Sequence, residues 1–540
     1  MLLVAILFLL GWLATHYVGA VIWYRLLQFN LHQEEDYIPV GLSNILGMAA
    51  IALALSITHF ISSISWVMMF ALFIQAINDR QNTKRYFEQS WQQIKPHLKW
   101  LIPATFFGWI AILLRPGSGD IADYHLQDIL WAEHYPLIKG LGNFNRPLAN
   151  NNWWFNLQAF FGLNQFTAAS VYVGNALFFI ATLSWFIISP ARNEQHQWFR
   201  LVFIAFIILS LKTAFVGAVT SDYIVTLSLY LLVDLFLIGT IQPSERNWTQ
   251  LYIFIIVCFM VTVKATALTF FMLPLPWLIQ LLKNKNYTYL LKISGIALLF
   301  FVPYFIGNII LSGYLLYPFN QIDLFIVDWK VPAYFFELDK VILKNWAKVP
   351  GQDVYVTATL PLSNWLPIWF GNLDILNKSL LVAFLISIPY LAFKLIKQKE
   401  NIWVCAFLLL GYLIIFSNGP HPRFLFAYMV SMLAFALYVT PIRFKPKLAI
   451  NFLWVLLLGL GLYLSYALIK NSAPSYVWFK PKPYPKNALK AREINGFKFL
   501  YSPLNNTIWD QFPATYYMID SVTLRTNRVE DGFMVKGLNP

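Results

Sequence analysis

Acidic residues are scarce in this chain, at 25 Asp and Glu in 540 residues against 39 Lys and Arg. Charged residues of both signs make up only 12%, about half of what a soluble globular protein carries. Cysteine is scarcer still. Cys258 and Cys405 are the only two, and both fall inside apolar runs, which argues for core packing over a disulfide or a metal site. The sequence has no internal repeat, low-complexity tract, Gly-rich phosphate loop, metal-finger spacing or Ser-His-Asp order. A repeat architecture, a nucleotide site and a hydrolase triad therefore have no footing.

Apolar residues fill the space. They make up 59% of the chain, and the mean hydropathy is +0.58, which predicts a polytopic membrane protein. Apolar runs of about 20 residues match the hydrocarbon thickness as helices, the form that satisfies every backbone N–H and C=O in lipid. With 21 Trp, 28 Tyr and 47 Phe, aromatic belts and a lipid-facing surface are expected. The run 1–24 lacks a basic start and a small-residue cleavage site, so it is expected to remain as a helix.

The runs 1–24, 38–60, 61–78, 98–115, 167–189, 200–218, 221–240, 249–266, 267–283, 288–312, 379–397, 402–417, 424–441 and 446–469 predict an all-α fold of about 14 transmembrane helices. A net charge of +14 would suit nucleic acid, but its distribution points elsewhere. The short connections on one side hold 18 Lys and Arg, and the much longer ones on the other hold 9. The positive-inside rule puts the first set in the cytoplasm. The segments 115–166, 313–378 and 470–540 are then expected outside. The chain divides into a three-helix unit with a basic link (1–97), a helical core (98–312), an outer loop (313–378), four helices (379–469) and a small outer appendage (470–540).

One outer stretch is unlike its surroundings. Between Arg115 and Asn156 lie Asp120, Asp123, His125, Asp128, Glu133 and His134, with four carboxylates in 14 residues. Acidic groups held beside a hydrophobic groove suit proton abstraction or metal binding on a lipid-linked substrate. The plain alternative is a solvated amphipathic helix on the membrane surface. Trp131, Trp153 and Trp154 read as interfacial anchors ahead of sugar-stacking platforms. His125 and His134 read as hydrogen-bonding supports, since a site for Mg²⁺ or Mn²⁺ needs carboxylates more than imidazole.

Lys212, Asp222, Lys264 and Arg423 all fall in the outer half of predicted helices, at the level of Asp120. A cation in hydrocarbon costs at least about 2.5–3.5 kcal/mol on insertion scales, so such residues face a cavity or a partner. One reading pairs Lys212 with Asp222 and lets Lys264 and Arg423 snorkel. The sharper reading is a basic clamp for a lipid phosphate.

At these residues a resemblance emerges. GDIADYHLQDILWAEHYPLIKGLGNFNRPLANNNWWF resembles the first outer loop of the glycosyltransferase C superfamily, and more narrowly that of a related group of bacterial membrane proteins. The matching positions are Asp120, Tyr124-His125, Gly140-Leu141-Gly142-Asn143, Arg146 and Asn151. SGYLLYP, VDWKVP, NWAKVP and HPRF extend the likeness over most of 98–440. Two departures stand out: Ile121 follows Asp120 where the superfamily often has Asp-Glu, and three helices precede the core. The resemblance implies inverting transfer of a sugar from a polyprenyl-phosphate donor to a glycan, lipid or protein acceptor. The site would face outward at the bacterial cytoplasmic (inner) membrane, among membrane lipids and without nucleic acid. It implies Asp120 as catalytic base, with Asp123 as the rival. Substrate contacts would come from His125, Glu133, Arg146, Asn151, Asp222 and the basic Lys212, Lys264 and Arg423. Two other classes compete: a surface polysaccharide polymerase or ligase, and a transporter or flippase of lipid-linked glycans. A transporter would be expected to carry a second set of charges in the cytoplasmic half, where Asp234 is the one hint.

Overall fold

The computed structural model describes residues 1–30, 39–115, 119–162, 164, 170–212, 215–319, 321–395, 399–441, 446–471, 483–502, 507–516 and 521–537. The basic stretch at 442–445 and Lys480 and Lys482 of the tail lie outside them. Among the described residues, each of the fourteen apolar runs overlaps a helix, from Leu2–Asn30 to Pro446–Asn471. Among the described residues, eight helices are long and apolar enough to cross a membrane. A ninth comes from the pair Ala265–Met272 and Leu275–Lys283, bent by 51°. Val67–Asn78, Gly174–Ile188, Ile402–Asn418 and Pro422–Tyr438 are apolar but shorter. Length and composition thus support eight or nine crossings where sequence reading expected about fourteen.

The amino-terminal helices cross closely because glycine permits it. A Cβ on Gly19 would stand 1.6 Å from the Ser43 carbonyl, and one on Gly47 1.9 Å from that of Thr15. Small residues at such a crossing let backbones touch. His16 then ties Ser43 (2.8 Å) to Ser90 (2.6 Å). Val40–Thr58 also packs on Gly174–Ile188, where a Cβ on Gly41 would meet the Ala181 carbonyl at 2.3 Å. The first helices therefore belong to the same core as the later ones.

The acidic stretch is not a helix lying on a surface. Leu126–His134 is buried along nearly its whole length, and Trp153 and Trp154 are fully buried. Trp154 Nε1 donates to Asn175 (2.8 Å), and Trp131 packs at the base of an aromatic cluster with Phe144, Phe512 and Phe533. The expected interfacial tryptophans are core residues.

That cluster includes the tail, which departs from an all-α fold. Lys490–Ile494 and Phe497–Tyr501 form an antiparallel hairpin, and Ala514–Thr515 adds in parallel. Val522–Leu524 pairs with Phe533–Val535. The turn residues Asn495 and Gly496 both have positive φ (48° and 87°), the hairpin signature of an Asn-Gly pair between strands. The tail locks onto the acidic stretch at Gly140, whose φ is 63° and where a Cβ would lie 2.3 Å from the Phe533 carbonyl.

Candidate functional site

Leu98–Leu114 ends at Arg115 in left-handed backbone. Helix resumes at Gly119, and from Ile121 to His125 it widens into a π-turn, with the Leu126 N–H bonded to the Ile121 carbonyl. Such turns are rare and recur at functional positions. Asp120 stands at its entrance, and Asp123, Tyr124 and His125 lie within it.

Asp120 Oδ2 sits 2.6 Å from Arg423 Nη2, and Nε of the same guanidinium lies 3.2 Å from Asp222 Oδ2. The other Asp222 oxygen accepts from the Lys264 ammonium. The order Asp120–Arg423–Asp222–Lys264 alternates in sign, and each inner member serves two partners. Four distant segments supply it. Asp222 lies in the first turn of Ser221–Ile241, capped by Thr220, and Lys264 caps the end of Arg246–Val263. Both charges suit the dipoles at those helix ends. Arg423 lies in the first turn of Pro422–Tyr438, where the dipole disfavours a cation, and two carboxylates offset that.

The quartet is partly open. Asp120 is 33% exposed, Arg423 and Lys264 26% each, and Asp222 13%. Its floor is aromatic: Lys264 Nζ lies 4.2 Å from the Phe424 ring centre and Arg423 Cζ 4.8 Å from it. Trp346, from the 313–378 segment, flanks Arg423 at 5.6 Å and stacks on His421 at 4.6 Å and 16°. Cation–π contacts of this kind strengthen as water is removed.

Behind the quartet, His125 is buried between Tyr124 (4.5 Å) and Phe155 (4.8 Å). Burial lowers its imidazole to about 4, so it is neutral at pH 7. Its Nδ1 has no hydrogen-bond partner among the described residues. Asp123 is half-buried, and burial, then the charge of Asp120, pushes its carboxyl up to about 6.

The structure thus brings together Asp120, Asp222, Lys264 and Arg423, with His125 and Asp123 beside them. The other sequence-selected residues lie elsewhere. Glu133 is buried against Asn164 (2.9 Å), and burial raises its carboxyl to about 7. Arg146 Nε binds Asp339 at 2.7 Å, where Tyr317 also donates (2.6 Å). Asn151 donates to the Tyr304 carbonyl at 2.9 Å. Lys212 is exposed, beyond a helix that stops at Leu209, and Asp222 takes Lys264 and Arg423 instead. Sequence reading missed Trp346, His421 and Phe424 as site residues, although NWAKVP and HPRF had drawn attention to their segments.

A divalent cation does not fit this donor set. Asp120 and Asp222 are already matched by two cations, and no group of three His, Cys, Asp or Glu converges among the described residues.

Residues 1–430 match the family model described as a domain of unknown function, DUF8201, and the chain belongs to that family. The matched region contains all four members of the quartet and ends before the tail. No curated protein and no solved structure matches the chain.

Proposed function

We propose that the protein is a membrane glycosyltransferase that moves a sugar from a polyprenyl-phosphate donor to a cell-surface glycan, lipid or protein acceptor. In this reading the fourteen helical runs all cross the bacterial cytoplasmic membrane, short ones included, with the quartet facing outward. The observation that carries the reading is the partly exposed alternating quartet, set where a lipid headgroup would meet the ends of four segments. Arg423 and Lys264 suit a phosphate ester, bidentate in the case of Arg. A donor phosphate would compete with Asp120 for Arg423 and so release the carboxylate. Asp120 then takes the proton of the acceptor hydroxyl as its oxygen bonds to the anomeric carbon. The bond from that carbon to the phosphate oxygen breaks, and the phosphate leaves with the electron pair, stabilised by Arg423 and Lys264. Trp346 and the rest of 313–378 would hold the acceptor.

A transporter reading draws on a second charged cluster, Asp234 with His196 and Arg200. All three are buried, and Arg200 bonds the carbonyls of Ser189 and Trp185. That arrangement favours a fixed lock over an ion path.

The test is single-turnover transfer from a radiolabelled polyprenyl-phosphate sugar by purified variants. Asp120→Asn keeps the shape but accepts no proton at neutral pH, and transfer should fall by roughly 10²–10⁴-fold with donor binding retained. Arg423→Lys should weaken donor binding. Full transfer by Asp120→Asn, Asp123→Asn and Arg423→Ala alike would end the assignment.

A further inference from the structure

The π-turn that carries Asp120 and Asp123 is held from outside the bundle. The carbonyl of Ala122, midway between the two acids, accepts from the backbone N–H groups of Ile508 (3.0 Å) and Trp509 (2.8 Å). One turn later Gln127, fully buried, donates from Nε2 to the carbonyls of Trp509 (3.1 Å) and Gln511 (2.9 Å). Its Oε1 accepts from the Ala514 N–H at 3.1 Å. Three protons of tail backbone and two tail carbonyls are thus committed to residues 122 and 127.

The tail holds an uncommon backbone conformation at this contact. Trp509 has φ 47°, a left-handed conformation that a bulky residue adopts at some energetic cost. Its ring stacks on Tyr484 at 5.3 Å and 19°, and Tyr484 lies beneath Arg115, 4.3 Å from the guanidinium carbon. The tail therefore grips both the residue that ends Leu98–Leu114 and the turn that follows it. A wide turn exposes carbonyls that an α-helix would satisfy internally. Here the tail satisfies the one between the two acids.

We propose that the 507–516 segment is a positioning element of the acidic turn, acting through Gln127 and the Ala122 carbonyl to keep Asp120 aimed at Arg423. It lies beyond the region that matches the family model. None of its residues belongs to the quartet, so its effect is on orientation and not on bond making. The proposal rests on the reading of Asp120 as a site residue, but holding the turn can be measured without any substrate.

The experiment is hydrogen–deuterium exchange on the full-length protein in lipid nanodiscs, followed by single-turnover transfer. Gln127→Glu keeps the volume and removes the amide donor that serves two carbonyls. Exchange of the amides of 121–128 should rise at least tenfold, while that of Glu194–Leu209 stays unchanged. The single-turnover rate should fall tenfold or more at unchanged half-saturating donor concentration. Ile508→Pro, which removes one N–H to Ala122, should give the same pattern and serves if Gln127→Glu fails to accumulate. Unchanged exchange in 121–128 would overturn the grip. Raised exchange with an unchanged transfer rate would overturn positioning. If Asp120→Asn proves fully active, the glycosyl reading falls, and exchange still reports whether the tail holds the turn.

Discussion

One helix, Ser221–Ile241, carries two carboxylates, Asp222 in its first turn and Asp234 just past its middle, and the two have been put to different uses. Asp234 is fully buried and takes hydrogen bonds from Trp185 Nε1 (2.7 Å) and His196 Nε2 (2.9 Å), with Arg200 Nε at 3.3 Å. The Arg192 N–H binds His196 Nδ1 at 3.0 Å, so that nitrogen accepts and Nε2 carries the proton. Each partner comes from the adjoining 185–200 segment. Asp222 meets two cations from segments far apart in sequence, in a cluster that water reaches. The same residue type thus makes a closed lock within the helix and an exchangeable contact at its start. What separates them is access: Asp234, His196 and Arg200 are all buried, while Asp222 and its two cations are partly exposed. A ligand can reach Arg423; burial keeps it from Asp234.

Breaking the lock should give the largest effect on the fold. Asp234→Ala leaves Arg200 buried without its carboxylate, which typically costs about 3–5 kcal/mol. The protein should fail to accumulate in membranes, read by quantitative immunoblot. Asp222→Asn should accumulate, because Arg423 keeps Asp120 and both cations reach water. Equal accumulation of the two variants would erase the distinction between lock and site.

A smaller effect sharpens the open end. Asp123 titrates at about 6 in the folded protein because burial favours its neutral form, whereas an unfolded Asp titrates near 3.9. The fold therefore loses stability as pH rises from about 4 to about 6, and stays penalised above that. Asp123→Asn should flatten thermal stability across that window and raise the melting temperature at pH 7. An unchanged pH profile would mean the Asp123 carboxyl is hydrated like any surface acid. The smallest effect is expected at Lys212, exposed and apart from Asp222. Lys212→Ala should change stability by no more than about 0.5 kcal/mol and leave donor binding intact. A loss of donor binding would return Lys212 to the clamp.

The helical runs were legible because period and length act locally, and among the described residues each overlaps a helix, though several helices are shorter than the runs, as in Val67–Asn78 and Glu194–Leu209. Lys212, Asp222, Lys264 and Arg423 were legible as a group at the level of Asp120, because the expected topology puts their helix ends on one side, and the structure joins all of them but Lys212. Pairing within that level was not legible. It depends on where each helix stops, and the end at Leu209 in place of 218 carries Lys212 out of reach. Arg146 and Asn151 look like ligand-binding residues in sequence, yet their partners, Asp339 and the Tyr304 carbonyl, lie far along the chain. The strands of the tail had a signal in Asn495-Gly496, hidden by an overall composition that favours helix.

The grip on the acidic turn also has a consequence in time. Gln127 reaches partners 382, 384 and 387 residues further along the chain. A ribosome adding roughly 5–20 residues per second needs tens of seconds to supply them. Throughout that interval the tail partners of the Ala122 carbonyl and the Gln127 amide do not yet exist. Closing so long a loop is slow compared with forming any single helix. The acidic turn is therefore among the first parts synthesised and among the last to be finished, and a chain that stops short of residue 507 carries the acids without their final alignment.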